Sequence, residues 1–188
     1  MSNISGRIDI ISGCMYSGKS TETIKLINKY KILEKRILVL NHQLDNSRYK
    51  ENSLSTHNNI SIPCISIDSF DNIKTISQFD YYNIDVIVIE EAQFFKIGLY
   101  DFVKSAADND NKIIIVTGLD GDSDRNQFGE INKLLPICDS FVKLHALCLK
   151  CKDGTLAPFT KCLVEKNSQI LVGNNTFIPV CRFHYNNN

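Results

Sequence analysis

Residues 7–20 read Arg7-Ile8-Asp9-Ile10-Ile11-Ser12-Gly13-Cys14-Met15-Tyr16-Ser17-Gly18-Lys19-Ser20, and this stretch decides the fold. The isoleucine-rich first half predicts a strand that stops at Gly13. From Gly13 to Ser20 the chain matches G-x-x-x-x-G-K-[ST] at every fixed position. Glycines let the backbone wrap an anion, while exposed N–H groups and the start of the next helix supply the positive pole. In such a loop Lys19 reaches the β- and γ-phosphates and the Ser20 hydroxyl ligates Mg²⁺. From Gly18 to about Lys35, apolar Ile24, Ile27, Tyr30 and Ile32/Leu33 predict a helix with one buried stripe. Strand, glycine loop and helix in that order raise the match above a mere glycine-rich turn.

Working outward, residues 37–40 form a second apolar strand, and residues 42–60 are polar and read as an irregular loop. Asp68 or Ser69 can cap a short helix through Phe79. Residues 84–89 predict a strand, about 97–108 a helix, 112–119 a strand, and 142–144 one more. Apolar, unalternating strands separated by helices indicate a parallel sheet covered on both faces, an α/β architecture of the P-loop NTPase kind. Function in such sheets sits at the carboxyl ends of the strands. After Leu147 the chain turns to cysteine, glycine and short strand-like pieces. The expected division is a nucleotide-binding unit over residues 1–146 and a small lobe over 147–188.

Composition sets the outer limits. The chain has 188 residues, 43% hydrophobic and 22% charged, which suits one domain or one plus an appendage at ~150 residues per domain. Lys+Arg and Asp+Glu balance at 21 each, without the basic excess of proteins that grip nucleic acid or anionic membranes. No apolar run approaches the ~20 residues of a membrane span. The start Met-Ser-Asn-Ile-Ser-Gly lacks the features of a signal peptide, so a cytoplasmic location is expected. Seven cysteines, an odd number, suit free thiols or metal ligands rather than a disulfide framework.

Two further groups carry chemistry. The strand before Glu90-Glu91-Ala92-Gln93-Phe94-Phe95 ends in paired acids. An acid at a strand end downstream of a phosphate loop is the usual second Mg²⁺ element, here Glu90. The adjacent Glu91 then faces the γ-phosphate, where it can orient an attacking hydroxyl and accept its proton. One of Phe94 and Phe95 belongs to the core, and the other can wall a flat base. Cys148-x-x-Cys151 and Cys181-x-x-His184 are two knuckles whose four ligands suit a closed tetrahedral Zn²⁺, structural rather than catalytic. Cys14, Cys64, Cys138 and Cys162 have no partner spacing and read as inert or buried. Oxidation of Cys14, inside the phosphate loop, would impair nucleotide binding. The loop alone leaves ATPase, GTPase and small-molecule kinase open. Asn132-Lys133 continues as Leu134-Leu135 rather than the Asn-Lys-x-Asp clamp, which argues against guanine.

Taken together these motifs resemble type II thymidine kinases. Residues 13–21, ending in Thr21, resemble that family's Gly-Pro-Met-Phe-Ser-Gly-Lys-Ser-Thr loop, and residues 89–95 its Ile-Asp-Glu-(Gly/Ala)-Gln-Phe-Phe segment. Leu119-Asp120-Gly121 with Arg125 and Phe128-Gly129 resembles Leu-Asp-Gly-x-Phe-x-Arg-x-Pro-Phe-Gly. Phe159-Thr160-Lys161 and the two knuckles complete the series, from about residue 6 to 185. The resemblance implies transfer of the ATP γ-phosphoryl to the 5′-hydroxyl of thymidine, and of deoxyuridine, with Glu91 as base and Glu90 on the metal side. It implies that residues 13–21 hold the phosphates, with Arg48, and that Asp45 joins Ser20 and Glu90 near magnesium. Asn46-Ser47 puts one extra residue between Asp45 and Arg48 relative to the family's Asp-x-Arg.

By the same resemblance, Met15, Phe94, Leu119, Ser123, Phe128, Thr160 and Phe177 line the nucleoside pocket. A lasso loop over about residues 152–180 offers main-chain groups to the thymine edge at Ile170, Leu171, Val172 and Gly173. Ser123 stands for the family's Phe, Gln127 for Pro, Phe177 for Tyr, His184 for Cys and Glu90 for Asp. A homotetramer and feedback inhibition by thymidine triphosphate are also implied, with no nucleic-acid or membrane partner. The competing readings are a P-loop ATPase switch without an acceptor and a zinc-ribbon nucleic-acid module. A nucleoside panel separates the first from a kinase, and neutral net charge opposes the second.

Overall fold

The computed structural model describes residues 5–45, 53–55, 61–164, 169 and 176–187. Its centre is a six-stranded sheet built from β1 (Arg7–Gly13), β2 (Ile37–His42), β5 (Ile65–Ile67), β6 (Val86–Ile89), β7 (Ile113–Gly118) and β8 (Ser140–Leu144). The strand order is β5-β2-β6-β7-β1-β8, and all five pairings are parallel. Between β2 and β5 lie two short antiparallel strands, β3 (Ser53–Ser55) and β4 (Ser61–Pro63). The expected parallel α/β sheet is therefore present.

Strand alternation sends successive side chains to opposite faces, and both faces are covered. Ile8, Ile10, Leu38, Leu40, Ile87, Ile89, Ile114 and Val116 pack on α2 (Leu99–Asp108), whose Leu99, Phe102, Val103 and Ala106 share that core. Ile11, Val39, Val86, Val88 and Ile115 face α1 (Lys19–Ile32) through Ile24 and Ile27. Each such fully buried isoleucine contributes roughly 1.5–3 kcal/mol relative to leaving it in water. The α1 stripe is shorter than expected. Ile32 and Leu33 are 81% and 65% exposed, because the helix ends there and Glu34 turns the chain at φ 55°.

The helix expected from Asp68 or Ser69 to Phe79 does not form. Only a 3₁₀ turn, Ile73–Thr75, interrupts an irregular path that Asn72 bends at φ 57°. Phe70 and Ile73 are buried, and Ile76 and Phe79 pack beside them, so a spacing of three serves successive turns rather than a helix stripe.

Beyond β8 the chain forms β9 (Ala146–Leu147), β10 (Leu156–Ala157), β11 (Phe159–Cys162), β12 (Phe177–Val180) and α3 (Arg182–Asn186). β9 pairs antiparallel with β10, and β11 with β12. Their small apolar core contains Ala146, Cys148, Ala157, Val180 and Cys181, and also Cys14 from the loop after β1. Arg125, in the loop after β7, lies over the Tyr185 ring at 4.1 Å from its centroid, and the Tyr185 hydroxyl donates to the Ser123 carbonyl at 2.7 Å. No helix among the described residues is long and apolar enough to cross a membrane.

Candidate active site

The loop between β1 and α1 closes tightly on itself. Gly13 must be glycine, since a Cβ there would lie 2.4 Å from the Leu144 carbonyl oxygen and 2.7 Å from the Ser17 hydroxyl. Tyr16 and Gly18 turn the chain at φ 65° and 86°, and α1 then begins at Lys19, with Ser20 and Thr21 in its first turn. The Lys19 ammonium folds over the loop and donates to the Gly13 and Cys14 carbonyls at 3.1 and 2.9 Å. Burial pushes the Lys19 pKa down, opposed most by the charge of Glu91, then by Cys14, Glu90 and Asp120. The cation thus senses Glu91 more than any other carboxylate. Ser12, at the end of β1, and Thr117, at the end of β7, bury hydroxyl groups that lack a partner among the described residues, as does Ser17 in the loop. Such orphaned oxygens beside a glycine loop suit a bound phosphate, cation or water.

The Cys14 side chain and the Met15 backbone N–H turn the other way, to the small lobe. The Cys14 thiol donates to the Ala157 carbonyl at 3.1 Å, and burial pushes its pKa up while the Ala146 N–H draws it down. Ala146 and Ala157 are cross-strand partners, so the thiol closes the end of the β9–β10 ladder. The Met15 N–H donates to the Thr160 hydroxyl at 3.0 Å. Thr160 pairs with Pro179 and Cys162 with Phe177, which places Phe177 on the same hairpin face as Thr160.

At the end of β6, Glu90 is buried at 3% exposure and its N–H donates to the Leu40 carbonyl at 2.8 Å. Glu91 follows at φ 49°, a conformation uncommon outside glycine, and starts the 3₁₀ turn Ala92–Phe94. Gln93, 1% exposed, donates from Nε2 to the Glu91 carboxylate and accepts the Leu119 N–H on Oε1 at 2.9 Å. Phe95 is core, while half-buried Phe94 meets Phe128 edge to face at 5.8 Å and His42 at 5.9 Å. One phenylalanine, Phe95, is therefore core, as expected, and Phe94 is the one left partly open. Burial pushes the His42 imidazole pKa down, and its Nδ1 accepts the Leu44 N–H at 3.1 Å. In the loop after β7, Asp120 pairs with Lys143, and Asp122 accepts the N–H groups of Asp124 and Asn126 at 2.9 and 2.8 Å. A recess of about 120 Å³ opens here between Cys14, Asp120, Arg125, Lys143 and Thr160.

The structure therefore gathers Lys19, Glu90 and Glu91 at one end of the sheet, joins Phe94 to Phe128, and joins Met15 to Thr160. Leu119 meets the site through Gln93, and Ser123 is buried beneath Tyr185. Asp45 closes the turn Gln43–Asp45. Arg48 and residues Ile170, Leu171, Val172 and Gly173 lie outside the described residues. Sequence reading missed Gln93 and His42, and it missed the direction of Cys14. A glutamine between acids and phenylalanines carries no periodic signal, and neither thiol direction nor imidazole burial is visible in a linear pattern.

The two knuckles do converge. Cys148, Cys151, Cys181 and His184 bring one ligand atom each to within 4.8 Å of one another. The Cys151 and Cys181 sulfurs lie 3.7 Å apart, and His184 Nδ1 is 3.6, 3.3 and 3.4 Å from the sulfurs of Cys148, Cys151 and Cys181. A tetrahedron with Zn–S of about 2.3 Å and Zn–N of about 2.0 Å has edges of about 3.5–3.8 Å, so the donor set fits zinc in size and kind. Burial would raise the Cys148 pKa, but the N–H groups of Cys181, Cys151 and Lys150 bring it down to about 6. Burial and the hydrogen bond with Cys148 push Cys151 up to about 11. Crowded thiols that cannot all ionise alone are those a divalent cation relieves.

A sequence model described as thymidine kinase matches residues 6–185. Thymidine kinase a of Arabidopsis thaliana is 40% identical over 186 residues, covering 96% of this chain and 75% of its own length. Thymidine kinase of Choristoneura fumiferana entomopoxvirus is 39% identical over 191 residues, covering 96% and 97%. That of Bacteroides thetaiotaomicron is 38% identical over 181 residues, covering 96% and 87%.

Proposed function

The chain belongs to the thymidine kinase family, and from that premise we propose that it transfers the γ-phosphoryl of ATP to the 5′-hydroxyl of thymidine and of deoxyuridine. The observation that carries this reading is the placement of Lys19, just after the β1 loop, and of Glu90 and Glu91, just after β6, at the same end of the parallel sheet. Glu91 takes the proton of the 5′-hydroxyl as that oxygen bonds to phosphorus. The bond to the bridging oxygen breaks, and its electron pair leaves with ADP. Lys19 and the amides of residues 13–21 bear the charge on the transferred group, which in phosphoryl transfer supplies most of the catalysis. Ser20, Glu90 and Asp45 hold Mg²⁺, which when bound neutralises phosphate charge. Arg48 would add a further positive charge to the phosphates.

Phe94 and Phe128 offer an edge-to-face aromatic wall for a pyrimidine, with Met15, Leu119, Ser123, Thr160, Phe177 and main-chain groups of residues 170–173 completing the pocket. The four-ligand cluster would hold one Zn²⁺, which ties together the two ends of the lasso within the lobe of residues 147–188 and so reduces the entropy lost when the lasso covers a nucleoside. A cytoplasmic homotetramer inhibited by thymidine triphosphate belongs to the same reading.

The test is a nucleoside panel with ATP and Mg²⁺, covering thymidine, deoxyuridine, deoxycytidine and purine deoxynucleosides. Thymidine and deoxyuridine monophosphates are the expected products. Glu91→Gln should lower turnover by about 100-fold or more with its melting curve unchanged. ATP hydrolysis indifferent to every nucleoside would overturn the kinase reading, and full activity of Glu91→Gln would remove Glu91 as base.

A further inference from the structure

We infer that Gln93 is a positioning residue for the reaction: its side-chain amide fixes the Glu91 carboxylate for proton transfer, and the Leu119 N–H fixes the amide. The inference rests on the reading of Glu91 as base. A glutamine amide can ordinarily turn over, exchanging its oxygen and nitrogen. Here it cannot. The Leu119 N–H, 2.9 Å from Oε1, demands an acceptor, so the amide NH₂ must face the Glu91 carboxylate, which accepts it at Oε2. That leaves the second carboxylate oxygen, Oε1, to receive a hydroxyl proton.

Three independent features mark this arrangement as built. Gln93 is 1% exposed, so an amide with either end unpaired would carry a desolvation penalty. Glu91 sits at φ 49°, a strained conformation for a non-glycine residue that persists only where its surroundings hold it. Room for Gln93 is cleared from two sides. A Cβ on Gly118 would lie 2.5 Å from Gln93 Oε1, and one on Gly129 would lie 2.3 Å from the Gln93 carbonyl oxygen. The end of β7 therefore gives way to the Gln93 side chain, and the loop beyond it to the Gln93 backbone. Misplacement of a reacting group by about an ångström can lower a rate by about 100-fold, which is the scale on which a carboxylate's orientation matters.

The alternative role is purely structural, a polar tie between the turn after β6 and the end of β7. The two roles differ in whether the effect passes through Glu91. Gln93→Met removes both polar ends at similar volume. Gln93→Glu keeps the shape and the acceptor for Leu119 but sets a carboxylate against Glu91. In the full chain, each should lower kcat about tenfold or more while KM for thymidine and for ATP stays within about threefold. In a Glu91→Gln background, Gln93→Met should change the residual kcat by less than about twofold, because the step it serves is already lost. Should Gln93→Met fail to fold, Gln93→Glu and Gly118→Ala, which crowds Oε1, carry the same comparison. Folded variants with parental kcat overturn the positioning role, as does a loss of equal factor in both backgrounds. An inactive Glu91→Gln beside an active Gln93→Met sinks only this inference. An active Glu91→Gln sinks it together with the base assignment.

Discussion

Replacing Thr160 with valine tests the junction between the phosphate loop and the metal-pinned lobe. The change leaves side-chain shape nearly intact and exchanges for a methyl group the hydroxyl that accepts the Met15 N–H at 3.0 Å. Thr160 is 5% exposed, so water does not readily replace the lost acceptor. A buried amide left unsatisfied costs about 1–3 kcal/mol. For a chain of this size each kcal/mol lowers the melting temperature by about 2–4 °C, so Thr160→Val should melt roughly 2–12 °C below the parent. Thr160→Ser keeps the oxygen and should lose less. Far-UV circular dichroism of the zinc-loaded protein reads both variants directly. A second measurement asks whether the contact couples the lobe to the loop. Chelation should weaken ATP–Mg²⁺ binding in the parent, and weaken it less in Thr160→Val, where the connection is already cut. Equal melting of Thr160→Val and parent, or a serine variant as unstable as valine, would refute the reasoning.

Other outcomes follow from single contacts. Gly129→Ala combines φ +62° with a Cβ 2.3 Å from the Gln93 carbonyl oxygen, so a loss of roughly 2–5 kcal/mol is expected in urea unfolding. Purified protein should carry about one zinc ion per chain, and chelation or Cys148→Ala should lower the melting temperature in a way that zinc restores to the parent and magnesium does not. Asp110 counters its own burial through Lys74 at 2.7 Å and the Tyr81 hydroxyl at 2.7 Å, and its pKa is lowered. Its stabilisation is therefore present above the unfolded value of about 3.9 and lost as pH falls through the lower folded value. The gap in urea midpoint between parent and Asp110→Asn should be wide at pH 7 and narrow toward pH 3, and a gap that ignores pH would contradict this.

Features fixed by one residue type at one spacing were legible in the sequence. Gly13, Gly18, Lys19 and Ser20 announce an anion loop, and two Cys/His knuckles announce a tetrahedral ion, because that chemistry tolerates few substitutes. The sheet was legible because buried parallel strands have to be apolar on both faces. What could not be read depends on tertiary context. Phe70, Ile73, Ile76 and Phe79 mimic a helix stripe, yet Asn72 at φ 57° breaks the path and each side chain reaches the core from a separate turn. Ile32 and Leu33 extend the α1 pattern past the point where any partner faces them. Cys14 reads as part of an anion cradle, although its thiol serves the neighbouring ribbon. Gln93 is silent for a similar reason, since the N–H that orients its amide comes from Leu119, 26 positions further on.

The place of β1 in the sheet has a consequence for how the chain is made. This first strand lies between β7 and β8, and Ile8 waits for the Asp139 carboxylate 131 positions later. At 5–20 residues per second, a ribosome needs on the order of ten seconds to supply those partners. Until β7 is made the isoleucines of β1 have neither neighbour, and until β8 is made they have only one. The nucleotide-binding end of the molecule is thus synthesised well before the strands that complete it, so truncation before β8 should abolish it while leaving most of the chain's length intact. Long-range parallel pairing of this kind is also slow to form, which gives a cell's chaperones a defined window in which to act on this protein.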